Sequence, residues 1–139
     1  MSHDMNDHRT RIAWIADALI PADPKSAMPS ATEAGVLDRH LPRALKERDD
    51  LAPAFFAAVA RLPEQRPQAP LAAIEALGAD DFQRISFLIA GAYFLDDEVN
   101  RKLRYPGQEA VFENPDYDEI MDIVERVTAR GKVYVEAPE

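Results

Sequence analysis

Residues 80–95 read DDFQRISFLIAGAYFL, and this stretch decides the fold. Phe82, Ile85, Ile89 and Ala92 recur at three- and four-residue spacing, and Val99 continues the row, so a single helical stripe runs through the segment. Phe87, Leu88, Phe94 and Leu95 widen that stripe around the cylinder. Asp80 is suited to cap the start. The pattern predicts a central hydrophobic helix near residues 81–102. A helix this apolar is either enclosed by its neighbours or gives one side to another chain; enclosure is the favoured reading.

The segments on either side have the same period. Ile12, Ile15, Ala16 and Leu19 lie on one helical face, and Pro21 stops that helix before a turn-rich link over Ala22–Pro29. Ser30 and Glu33 form a capping box ahead of Ala34, Leu37, Leu41 and Leu45, with Pro42 placed to kink or split the helix. Asp50 is positioned to cap a helix that tolerates Pro53 in its first turn and buries Phe55, Phe56, Val59 and Leu62. Pro63 ends that helix, and the Glu64–Pro70 connection is exposed by composition. Leu71, Ile74 and Leu77 give a brief helix ending at Gly78. After the Pro106-Gly107 turn, Asn114 and Pro115 start a last helix through Tyr117, Ile120, Met121, Val124 and Val127, closed by Gly131. The expectation is an all-α single domain over residues 1–139, with five to six helices, a flexible N-terminus at 1–8 and an extended tail at 132–139.

Composition narrows the functional classes. The chain has 139 residues, a length that suits one domain burying roughly two-thirds of its unfolded surface. A formal charge of −9 and a sequence pI of about 4.8 disfavour binding to a phosphate backbone, so no nucleic-acid partner is expected. Zero Cys excludes disulfides, thiol nucleophiles and Cys-based metal sites. The best apolar run, Ile12–Ile20, is too short for a bilayer and is broken by Asp17, so no membrane span is expected. Residues 1–11 show neither a basic leader nor a twin-arginine pair, which points to a cytoplasmic protein, periplasmic only if carried by a partner.

Patterns that carry chemistry are weak. His3, His8 and His40 lack the Glu-x-x-His spacing of a di-iron bundle and read as terminal or packing residues. Asp96, Asp97, Glu98, Asp116, Asp118, Glu119 and Asp122 are dense enough to attract a cation, but they lack the order of a calcium loop and read as a solvated acidic face. Ser26, Ser30, Ser86 and Thr128 have no neighbouring base. Gly78, Gly91 and Gly107 are isolated and cradle no phosphate. Trp14, Phe55, Phe56, Phe82, Phe87, Tyr93 and Phe94 fall at helical spacing, which favours a core role over a cofactor box. No catalytic, metal or cofactor-binding residue is assigned.

Three strings in order carry a resemblance: Ile15–Asp23 (IADALIPAD), Ala31–Val36 (ATEAGV) and Gly91–Gly107, which ends LRYPG. Across about residues 12–108 the chain resembles the gluconate 2-dehydrogenase subunit 3 family, small subunits that accompany flavin-dependent dehydrogenases of the glucose-methanol-choline type. The resemblance implies a helical subunit without catalytic groups or a cofactor of its own. It would serve as accessory or chaperone to a large flavoprotein that oxidises sugars or related alcohols. The chain departs from the family at its N-terminus, where no twin-arginine leader stands, and at Arg104, where Gly is usual. Pro21, Tyr93, Arg104, Tyr105, Pro106 and Gly107 are the candidate partner-binding residues, because Pro-fixed backbone loses little entropy on binding and Tyr and Arg commonly anchor interfaces. Pro106-Gly107 reads equally well as a simple helix stop. The alternatives are a free-standing helical interaction protein that forms a homo-oligomer and, further off, a small metal-dependent enzyme using the acidic residues.

Overall fold

The computed structural model describes residues 5–108 and 116–132. The order is α1 (Arg9–Leu19), a π-helical turn (Val36–His40), α2 (Leu41–Glu47), α3 (Ala52–Ala60), α4 (Pro70–Glu75), α5 (Ala79–Tyr93), α6 (Asp97–Lys102) and α7 (Tyr117–Arg130). The protein is all-α: among the described residues the only β-type pairing is an isolated bridge between Asp23 and Met28. No described helix is long and apolar enough to cross a membrane. The chain divides into two compact units, Met1–Gly107 and Gln108–Glu139.

In the first unit α5 is the central element, packed against α1, α2, α3, α4 and the π-helical turn. Its inward stripe of Ile85, Leu88, Ile89 and Ala92 is buried, together with Ile12 and Ile15 of α1, Leu41 of α2, Phe55 and Val59 of α3 and Ile74 of α4. Each fully buried aliphatic or aromatic side chain contributes about 1.5–3 kcal/mol relative to exposure, so this set is the main source of stability. Polar ties fix the register of α1. Trp14 Nε1 donates to the Pro63 carbonyl at 3.2 Å and Arg11 Nε to the Leu62 carbonyl at 2.9 Å, satisfying acceptors just past the C-terminus of α3.

Three details depart from the expectations. The helix expected near 81–102 is two helices, because Phe94–Asp96 leaves the helical path and Asp96 caps a new start, its side chain accepting from Val99 N. Enclosure of the central helix does not hold: Phe87 and Phe94 are 55% and 52% exposed, and Leu95 is exposed as well. At the start of the chain, Met5 packs against the core and the His8 ring lies 5.8 Å from that of Phe56, so these two terminal side chains lie against the helices rather than apart from them. Residues 1–4, the Asn114-Pro115 helix start and residues 133–139 of the expected tail lie outside the described residues.

Several expected caps are also replaced. α5 begins after Gly78 with no side-chain cap, and α3 follows Leu51 while Asp50 pairs with Arg48. In the second unit, α7 is capped by Asp116, which accepts from Asp118 N and Glu119 N, and it ends at Gly131 with φ of 73°.

Candidate partner-binding site

The link after α1 is shaped by short-range hydrogen bonds. Asp23 accepts from Lys25 N at 3.0 Å and from Ser26 Oγ at 2.7 Å, an Asx-type turn. The Ser26 hydroxyl and the Lys25 N–H hold the Asp23 carboxyl below the ordinary carboxylate range. The capping box forms as expected: Ser30 N donates to Glu33 Oε2 at 2.7 Å, and Glu33 N to Ser30 Oγ at 3.3 Å. It opens a turn over residues 31–35 rather than an α-helix, and the following Val36 N bonds back five residues to Ala31 O at 3.1 Å. Gly35, with φ of 78°, makes the turn into the π-helical segment. A Cβ there would stand 2.6 Å from the Arg39 guanidinium.

This local structure brings the three resembling strings together. Asp17 of α1 accepts from Thr32 N at 2.9 Å and from Thr32 Oγ1 at 2.6 Å, joining the first string to the second. Tyr93 donates its hydroxyl to the Pro29 carbonyl at 2.8 Å, and Lys102 Nζ donates to the Ala27 carbonyl at 2.6 Å, joining the third string to the link. Beside these ties lies a cleft of about 470 Å³ bordered by Pro29, Glu33, Arg39, His40, Asp96 and Arg101 among others.

Asp96 is the hub of this cleft and is only 5% exposed. It accepts from His40 Nε2 at 3.0 Å, from Arg39 Nη2 at 3.2 Å and from Val99 N at 3.1 Å. Burial alone would push its carboxyl up; the His40 hydrogen bond, the Val99 N–H and the charges of His40 and Arg39 outweigh burial and hold it below its ordinary value. The arrangement clamps the π-helical turn to the α5–α6 junction. Among the described residues, no three of His, Asp and Glu stand together as a metal would need.

The expected partner-binding residues separate into two groups. Pro21, Arg104, Tyr105 and Pro106 are exposed, and Tyr105 is 54% exposed. Arg104 has φ of 55°, a left-handed conformation uncommon for a residue other than Gly, and Gly107 has φ of 94°. Tyr105 N donates to Asn100 O at 2.9 Å, which folds the segment back on α6. Tyr93, in contrast, is 4% exposed with its hydroxyl used within the chain, so it supports the link from beneath. Sequence reasoning missed Asp17, Gly35 and Arg39, read His40 as a surface or packing residue, and assigned Asp96 to a solvated acidic face, whereas its carboxylate is buried and bonded to His40, Arg39 and Val99 N. One signal was present: Asp96 followed by Asp97-Glu98 has the pattern of an N-cap and an acidic first turn opening a new helix.

In comparisons with known proteins, no family model, no curated protein and no solved structure matches the chain.

Proposed function

We propose that this chain is a helical accessory subunit that binds a larger flavin-dependent dehydrogenase of the glucose-methanol-choline type, acting on sugars or related alcohols. In this reading it lends surface rather than reaction chemistry. The observation that supports it is that IADALIPAD is bonded to ATEAGV through Asp17–Thr32, and the segment ending LRYPG to the link between them through Tyr93–Pro29 and Lys102–Ala27.

Around that junction Pro21, Leu103, Tyr105 and Pro106 are exposed, with the Leu103 and Tyr105 backbone held by hydrogen bonds and the two prolines fixed in φ. A pre-ordered surface lowers the entropy cost of association, and Tyr and Arg are among the residues enriched at interface hot spots. The flavoprotein would hold the flavin and the substrate, and the accessory chain would cover apolar surface that the flavoprotein exposes alone.

Co-expression with a flavoprotein of this type encoded beside the chain tests the reading. A stable complex on size exclusion, with a larger soluble yield of flavoprotein than without the chain, is the expected result. Tyr105→Ala should weaken that complex about tenfold or more while leaving the helical circular-dichroism signal unchanged. Equal flavoprotein solubility with and without the chain, and no complex, would overturn it.

A further inference from the structure

On a different face of the first unit, α2 and the outer side of α5 enclose an apolar cleft of about 230 Å³, lined by Ala44, Phe87, Leu88, Gly91 and Leu95 with Arg43 and Glu47 at the rim. Phe87 and Gly91 lie one turn apart on α5, Leu95 borders the cleft from the turn that follows, and Phe87 and Leu95 stay exposed. Arg48 is bound to Asp50 at 2.8 Å and its guanidinium lies 5.5 Å from the centre of the Phe87 ring, which braces that ring at the edge of the cleft. Gly91 has nothing within 4 Å of where a Cβ would stand, so this part of α5 is open to the backbone of another helix.

The rim identifies the occupant. Arg43 and Glu47 lie one turn apart on α2, both exposed, and neither forms an ion pair with the other or with any described residue. A partner of uniform charge would attract one of them and repel the other. A copy of the same chain rotated by a two-fold axis lying across α2 and α5 sets its own Glu47 against Arg43 and its own Arg43 against Glu47, the reciprocal contact that an isologous interface requires. The same rotation lays α5 antiparallel on α5 with Gly91 near the crossing, where the absent side chain permits close approach.

We propose that the α2–α5 face is a two-fold interface between two copies of this chain. The surface is separate from Pro21 and the Leu103–Gly107 segment, so the inference stands or falls independently of a flavoprotein partner.

Sedimentation equilibrium of the full chain, alone in solution, is the test. The wild type should show a concentration-dependent species of twice 15.5 kDa. Arg43→Glu and Glu47→Arg, each alone, place like charges opposite one another twice and should weaken the dimer about tenfold or more. Mixing the two variants in equal amounts restores opposite charges at both contacts, so the mixture should dimerise about as strongly as the wild type. Gly91→Leu gives a second disruption: it favours the helix intrinsically, yet fills this open part of α5 and should yield a monomer with full helicity. A wild type that stays monomeric at the highest attainable concentration, or single reversals that dimerise unchanged, or a mixture no stronger than its components, would overturn the proposal.

Discussion

Asp96 concentrates more of the local structure than any other polar side chain in the first unit, since one carboxylate both caps α6 and receives His40 and Arg39 from the π-helical turn. The two duties are separable by substitution. Asp96→Asn keeps an acceptor for Val99 N, because Asn is as good a cap as Asp, but removes the charge that faces His40 and Arg39. Asp96→Ala removes both, and hydrogen bonds to charged groups contribute about 1.5–3 kcal/mol each, so urea unfolding at neutral pH should rank wild type above Asn above Ala. The pH dependence has a definite sign. The folded carboxyl lies below its unfolded value of about 3.9, so its contribution is complete above about pH 4 and is lost as pH falls through the folded value. The stability gap between wild type and Asp96→Asn should therefore narrow between neutral pH and about pH 3, and a gap independent of pH would show that the charge has no part in the clamp. Tyr93→Phe is a cleaner single deletion. It leaves the buried ring in place and strips one hydroxyl from the Pro29 carbonyl, a loss of about 0.5–1.5 kcal/mol by the same unfolding measurement.

At the level of elements, periodicity located α1, α3, α4, α5 and α7, because each carries apolar residues at helical spacing and a Pro or Gly at a boundary. The Ser30–Glu33 capping box was equally legible, since it depends on two residues three apart. The π-helical turn and the break after Tyr93 were not. Both are held by contacts between residues far apart in sequence, Asp96 with Arg39 and His40, and a helical period continued through Val99 hides the interruption. The candidate contact residues divide for the same reason. Arg104, Tyr105 and Pro106 sit in a turn that local sequence marks as exposed, whereas the burial of Tyr93 depends on Pro29, distant in the chain. Gly35 is the position at which these long-range constraints meet local conformation. Gly35→Ala puts a side chain at φ of 78° and against the Arg39 guanidinium, which would have to leave Asp96. The change should destabilise by more than about 1 kcal/mol, seen as a lower urea midpoint. Gly91→Ala, in a helix interior open within the single chain, should instead raise the stability of the monomer, at concentrations too low for association, by about 0.5–1 kcal/mol.

Across the whole molecule, charge and core are distributed unequally between the two units. After Gly107 the sequence has nine acidic residues against three basic ones, a net of −6 out of the chain's −9. Every buried apolar residue among those described falls between Ile12 and Val99, within the first unit, and α7 has no buried side chain. Stability of a folded unit scales with the apolar surface it removes from water, so among the described residues the stabilising core lies in the first unit. A chain ending at Gly107 should unfold cooperatively with a urea midpoint close to that of the full chain, because every buried apolar residue among those described is retained. It should elute from an anion exchanger at lower salt, since two-thirds of the net negative charge has been removed. An isolated peptide of residues 108–139 should show only partial helicity in water, because a helix of 14 residues is marginal without packing even when capped by Asp116. If the shortened chain instead loses its cooperative transition, residues beyond Gly107 contribute to the core, and the location of stability in the Ile12–Val99 set would be wrong.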